Sequence, residues 1–157
     1  MGPSQNRTPA APPPSGPEYL LVDGYNVIFA WDELKKIAAE NLEAARRRLM
    51  DILCNYAGYR KCVPILVFDA YRVKGTGRKQ ETWHNLHVIY TREAETADMF
   101  IERATHELAK NHRVRVVSSD GAEQIIILGN GALRVSARAF EREVRAVEAE
   151  IREFLDQ

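Results

Sequence analysis

The chain has 157 residues, of which 45% are hydrophobic and 28% are charged, a composition typical of one globular domain. Basic and acidic residues number 22 each, so any binding of nucleic acid must come from a local basic patch. The cysteines, Cys54 and Cys62, are too few for a zinc site and lack the spacing of a redox pair. The sequence contains neither a membrane-length apolar run nor a signal-peptide pattern, so we expect a cytoplasmic protein with no membrane partner.

Six of the seven prolines lie in the first 17 residues, MGPSQNRTPAAPPPSGP. This composition predicts an extended segment that packs into no core. We interpret residues 1–17 as a Pro-rich disordered linker, which would join an upstream fused domain, or as a leader added during cloning. Residues 18–157 form the predicted domain.

From Glu18 onward, strand and helix patterns alternate. Short apolar runs predict five strands, at Tyr19–Val22, Pro64–Phe68, Leu86–Tyr90, Val114–Val117 and Leu133–Val135. Apolar residues at helical spacing predict helices at about Ile37–Tyr59, Thr96–Lys110 and Ala137–Leu155, with a short helix near Ala122–Leu128. Continuous apolar strands separated by helices favour an α/β fold with a mostly parallel sheet, covered on both faces.

Aspartates follow three of these strands. Asp23 ends the first strand, Asp69 follows the second, Asp120 follows the fourth, and Asp98 opens the helix after the third. Because the carboxyl ends of parallel strands share one edge, we expect the four carboxylates to lie together. The negative charges of such a cluster repel one another unless a cation neutralises them. Carboxylate oxygens are ligands that suit Mg²⁺ or Mn²⁺. The pattern therefore predicts a metal centre.

Each aspartate also has a purely structural interpretation. Asp23 could form an Asx turn and Asp69 a β-turn, while Asp98 and Asp120 could stabilise the starts of helices. We prefer the metal centre, because the structural interpretation requires three strand ends to acquire an aspartate by coincidence.

Neighbouring residues could assist these aspartates. Asn26 offers an amide that could orient a water or a phosphate oxygen, or it could be a left-handed turn residue. Gly24 would let the backbone approach a substrate closely. Glu95 and Ser119 are candidates for an outer shell, although Glu95 could equally be a solvated charge.

The motifs DGYN, FDA, YTREAETAD and SSDGAEQ, taken together, resemble those of the NYN-domain nucleases, above all their YacP-like bacterial branch. The resemblance runs from Tyr19 to the C-terminus. It implies a Rossmann-like, three-layer PIN/NYN fold with a mostly parallel sheet of about five strands and a metal-binding centre that cuts RNA. It further implies cleavage of mRNA in the ribosomal A site, with the ribosome as partner. The residues that match the family's active-site positions are Asp23, Asn26, Asp69, Asp98 and Asp120.

A polar loop, DAYRVKGTGRKQ, begins at Asp69. Basic and aromatic side chains alternate in it, an arrangement that suits single-stranded RNA, although a solvated surface loop is the alternative. The predicted RNA-binding residues are Tyr71, Arg72, Lys74, Arg78 and Lys79. The run Arg46–Arg48 is interpreted as a solvated helix face or a contact to ribosomal RNA.

The predicted activity is metal-dependent endonucleolytic hydrolysis of RNA. Mg²⁺ or Mn²⁺ held by the four aspartates would activate a water for in-line attack, leaving 3′-hydroxyl and 5′-phosphate ends. One alternative is a non-catalytic RNA- or ribosome-binding module with a PIN-like fold. Another is a phosphatase of the haloacid dehalogenase type, which requires Asp-x-Asp after the first strand, where DGYN supplies one aspartate.

Overall fold

The structure is a computed structural model that describes residues 16–69, 80–92, 94–119, 126–127 and 132–157. Several sequence predictions fall outside these ranges and stay predictions. They concern residues 1–15 of the leader, most of the short helix after Asp120, and the residues Tyr71, Arg72, Lys74, Arg78, Lys79 and Asp120.

The described residues form five helices and one seven-stranded sheet. The strands are β1 (Tyr19–Asp23), β2 (Val63–Phe68), β3 (Gln80–Trp83), β4 (Leu86–Tyr90), β5 (Val114–Ser118), β6 (Ile126–Ile127) and β7 (Leu133–Ser136). The helices are α1 (Gly24–Ala30), α2 (Asp32–Glu40), α3 (Leu42–Arg60), α4 (Ala97–Leu108) and α5 (Ala137–Leu155).

The strand order is β3-β4-β2-β1-β5-β7-β6, and the five central strands are parallel, as predicted. All five predicted strands are present, and β3 and β6 add an antiparallel strand at each edge of the sheet. The sequence of β3, QETW, has no continuous apolar run, and the chain turns back at His84, whose φ is 55°, to pair β3 with β4. Ile126 and Ile127 pair with β7, so the helix predicted there is wrong at these two residues.

The segment between β1 and β2 also differs from the prediction of one long helix. It contains three helices, and the break before α3 lies at Asn41. The Asn41 side chain accepts a hydrogen bond from the Ala44 backbone N–H at 3.0 Å, and so it caps a new helix instead of continuing the old one. The apolar residues Val27 and Ile28 lie in α1 and are buried.

The sheet lies between two helical layers. Helices α1, α2, α3 and α5 cover one face around Leu53, Tyr56 and Phe140, and α4 covers the other around Ile101. The Trp31 Nε1–H donates to the Ala137 carbonyl at 2.8 Å and joins the start of α5 to the α1–α2 junction. Within the described ranges, no helix combines the length and the apolar character needed to cross a bilayer.

Candidate metal centre at the carboxyl edge of the sheet

Asp23 ends β1 and serves as the N-cap of α1. Its Oδ1 accepts from the Asn26 backbone N–H at 3.4 Å, and its Oδ2 accepts from the Asn26 side-chain amide at 2.7 Å. The residue is only 6% exposed. Asn26 therefore fixes the orientation of a buried carboxylate, and its own position inside a helix excludes the left-handed turn considered for it.

The electrostatic surroundings of Asp23 disfavour its ionised form. Burial raises the pKa of its carboxyl from 3.8 to about 6, although the hydrogen bonds from Asn26 oppose that shift. The negative charges of Asp69 and Asp98 contribute to the same upward shift of the pKa. Asp69 and Asp98 therefore lie near enough to Asp23 for their charges to act on its carboxyl.

Asp69 follows β2 and is half-buried. Its Oδ1 accepts a hydrogen bond from the Ala97 backbone N–H at 2.5 Å, in the first turn of α4. The Thr96 hydroxyl accepts from the Met99 N–H at 3.1 Å and caps the same helix from its own chain segment. Two side chains therefore satisfy the first amides of α4, and that helix brings Asp98 to the edge of the sheet.

Asp98 is the exposed member of the cluster, with a side chain 71% accessible to solvent. Its Oδ1 lies 3.7 Å from a guanidinium nitrogen of Arg134, a residue of β7. The Arg134 Nε–H also donates to the Ser118 hydroxyl at 2.6 Å, at the end of β5. Sequence reasoning missed Arg134, and the only signal was its alternation with Leu133 and Val135, which places it on the α4 face of the sheet.

Gly24 has a packing role in this structure. A Cβ added there would lie 2.3 Å from Cε1 of Phe68, whose ring is fully buried. The absence of a side chain lets this ring pack under the start of α1, next to Asp23.

The two candidate outer-shell residues lie at the same edge in different settings. Glu95 is held by Arg103 at 3.1 Å, so an ion pair occupies its carboxylate. Ser119 follows β5 and is exposed.

The donor chemistry at this edge fits a hard divalent cation. Asp23, Asp69 and Asp98 offer carboxylate oxygens, the ligand type that such an ion prefers, and the charges of Asp69 and Asp98 disfavour the ionised form of Asp23. The described residues contain no ready-made group of three or more metal-binding side chains, and the fourth predicted ligand, Asp120, lies outside them.

A mostly parallel α/β sheet with aspartates at its carboxyl edge is consistent with a nuclease-type domain. A family model described as the YacP-like NYN domain matches residues 20–157. The chain belongs to this family, a nuclease-type family whose members generally use divalent metals.

Relatives in Bacillus subtilis agree with this assignment. The chain is 45% identical over 135 residues to the protein YacP of strain 168, covering 85% of this chain and 79% of the relative. The crystal structure of Rae1 (YacP) from this organism superposes with a TM-score of 0.74 and 43% identity, covering 88% of this chain and 79% of that one. A mutant of the same protein gives a TM-score of 0.69 and 40% identity, over 86% and 79% of the two chains.

Proposed function

We propose that this chain is a divalent-metal-dependent endoribonuclease that hydrolyses phosphodiester bonds in RNA. One observation carries the proposal. Asp69 follows β2 and Asp98 lies in α4, and the negative charges of both raise the pKa of the buried Asp23 carboxyl. A protein that only bound RNA would gain nothing from an acidic cluster facing phosphate groups, whereas a metal-dependent nuclease requires one.

The proposed ligands are Asp23, Asp69, Asp98 and Asp120, with Mg²⁺ or Mn²⁺ as the ion. When bound, the cation supplies Lewis-acid activation of the attacking water and charge stabilisation of the phosphate oxygens. Asn26 holds the Asp23 carboxylate in one orientation through its 2.7 Å hydrogen bond. The Ala97 amide does the same for Asp69.

The proposed RNA contacts and the proposed substrate are inferred from the sequence. The basic and aromatic residues Tyr71, Arg72, Lys74, Arg78 and Lys79 are proposed contacts to the RNA backbone and bases. The likeness to the YacP-like branch supports mRNA in the ribosomal A site as the substrate, with the ribosome as partner.

The deciding experiment compares cleavage of one mRNA, free and on translating ribosomes, in Mg²⁺, Mn²⁺ or EDTA. The wild type is tested beside Asp23→Asn and beside Asp156→Asn, a matched control at the exposed end of α5. We expect cuts that need the metal, carry 5′-phosphate ends, persist in Asp156→Asn and disappear in Asp23→Asn.

Each unexpected outcome would contradict a different part of the proposal. Cleavage that continues in EDTA would contradict metal dependence, and cleavage by Asp23→Asn would remove the acidic edge from the mechanism. RNA binding without cleavage in any condition would favour the non-catalytic module. Cleavage of free mRNA as fast as ribosome-bound mRNA would contradict the A-site role while leaving the nuclease in place.

A further inference from the structure

Beside the acidic edge, α1 exposes an aromatic side chain for which the proposed chemistry has no use. Phe29 lies in the last turn of α1 and is 43% exposed. Its ring is stacked on that of Tyr25, with centroids 6.3 Å apart and planes inclined by 26°. Tyr25 is buried and packs in turn on Phe68, with ring centroids 4.9 Å apart. Phe29 is therefore the partly exposed member of a row of packed rings.

This aromatic row starts beside the candidate metal centre. Asp23 caps the helix that carries both rings, and Tyr25 is only two residues away from it. At about 1.5 Å per helical residue, Phe29 lies roughly 9 Å along the axis from Asp23. A nucleotide next to a phosphate at the acidic edge could reach that distance.

A cationic side chain contacts the same row. Arg46, from the second turn of α3, donates through Nη1 to the Tyr25 hydroxyl at 3.3 Å. Its two neighbours have carboxylate partners, since Arg47 pairs with Glu43 at 3.1 Å and Arg48 with Glu33 at 3.2 Å.

Arg46 has no such carboxylate partner within the part of the chain that the structure describes. A guanidinium has five N–H donors, and the tyrosine hydroxyl accepts from one nitrogen. Arg46 therefore keeps N–H donors that an anion can accept from.

We propose that Phe29, Tyr25 and Arg46 form a subsite for single-stranded RNA, in which Phe29 stacks on a base and Arg46 contacts a backbone phosphate. The subsite rests on the proposed function, because it places the strand beside the acidic edge. Tyr25 supports both contacts, since its ring carries Phe29 and its hydroxyl holds Arg46. Stacking on aromatic rings accepts any base, so the subsite gives affinity rather than sequence preference.

The test measures binding rather than cleavage. A fluorescently labelled single-stranded oligoribonucleotide is titrated with protein in EDTA, and anisotropy gives the dissociation constant for Phe29→Ala and Arg46→Ala. The chain offers a matched control for each: Phe154→Ala, a phenylalanine 70% exposed at the far end of α5, and Arg142→Ala, an exposed arginine of the same helix.

We expect Phe29→Ala and Arg46→Ala each to weaken binding about tenfold, and each control to stay within about twofold of the wild type. Arg46→Ala should also reduce the salt dependence of binding by about one phosphate contact, which Phe29→Ala should leave unchanged. An oligoribonucleotide of abasic residues should bind Phe29→Ala and the wild type equally. If Phe29→Ala unfolds, Phe29→Leu keeps the apolar volume without the aromatic face.

Three outcomes would overturn the subsite: a wild type that does not bind the oligoribonucleotide, equal losses in the controls, or no loss in the two variants. Cleavage is scored separately. RNA binding that depends on Phe29 and Arg46, without cleavage, would refute the nuclease and keep the subsite. RNA cleavage, with binding that Phe29→Ala and Arg46→Ala leave unchanged, would keep the nuclease and refute the subsite.

Discussion

The backbone N–H of Ala97 donates to Oδ1 of Asp69 at 2.5 Å, between residues 28 positions apart in the chain. This contact ties the end of β2 to the first turn of α4 and holds Asp98 at the edge of the sheet. The same carboxylate is both a helix cap and a candidate metal ligand.

Two substitutions at Asp69 separate these roles. Asp69→Ala removes the acceptor for the Ala97 amide, so the free energy of unfolding should fall by about 1–2 kcal/mol. Asp69→Asn keeps an acceptor and should cost less stability. Both variants should lose RNA cleavage, because both lack the charge. Urea denaturation and a cleavage assay measure the two effects.

Thr96→Ala is the matched control for the Asp69 variants. It removes the other cap of α4, the 3.1 Å bond from the Met99 amide, without changing a carboxylate. We expect it to cost about 1 kcal/mol of stability and to keep most of the cleavage. If Thr96→Ala were as inactive as Asp69→Asn, the loss would reflect the position of α4 and not the missing charge.

Asp23 should make the metal-free protein less stable at neutral pH. Its carboxyl has a pKa of about 6 in the folded protein and 3.8 ordinarily, so the folded state binds the proton more tightly. The resulting stabilisation is complete below about pH 3.8 and is lost as the pH rises through about 6. In EDTA at pH 7.5, Asp23→Asn should therefore be more stable than the wild type, by on the order of 2–3 kcal/mol.

Urea denaturation of both proteins at pH 4 and pH 7.5 checks this difference, which should nearly vanish at the lower pH. The substituted amide keeps an oxygen that can accept from Asn26, so the cap persists. A wild type as stable as Asp23→Asn at pH 7.5 would show that the ionised carboxylate is better compensated than its burial implies.

Arg134 should tune the acidic edge. Arg134→Ala removes the cation 3.7 Å from Asp98 and the 2.6 Å bond to Ser118. We expect kcat to fall about tenfold, because Asp98 loses a contact that positions it. The Mn²⁺ concentration for half-maximal cleavage should fall as well, because the edge becomes more negative and binds the cation more tightly. Arg134→Lys keeps the charge but cannot contact Asp98 and Ser118 at once, so its kcat and Mn²⁺ requirement should lie between those of the wild type and Arg134→Ala.

Arg142→Ala, on the exposed face of α5, is the control for Arg134 and should match the wild type in both quantities. A purely structural role for Arg134 would lower kcat without lowering the Mn²⁺ requirement. That result would remove Arg134 from the electrostatics of the site.

Two glycine substitutions should have opposite effects on stability. A Cβ at Gly24 would lie 2.3 Å from the buried Phe68 ring, so Gly24→Ala should cost about 1–3 kcal/mol and displace the start of α1. Gly58 is exposed within α3, and its added Cβ would meet only the Asn85 side chain at 4.0 Å. Gly58→Ala should therefore stabilise the protein by about 0.5–1 kcal/mol. Thermal unfolding of the two variants distinguishes the cases, and destabilisation by Gly58→Ala would contradict the helix argument.

The sequence by itself determined the parallel centre of the sheet and the composition of its acidic edge. The apolar runs that end at Val22, Phe68 and Val117 are local patterns, and a parallel sheet places their carboxyl ends together. Asp23 and Asp69 follow directly from two of these ends.

Only the tertiary structure decided which residues contact those aspartates. The Ala97 amide reaches Asp69 and the Arg134 guanidinium reaches Asp98 from other elements, and neither pairing leaves a periodic trace in the sequence. The edge strands β3 and β6 and the break at Asn41 depend likewise on pairing and capping contacts that compete with local propensity. Periodicity reports which face of an element is buried, whereas the partner on that face is set by how the whole chain packs.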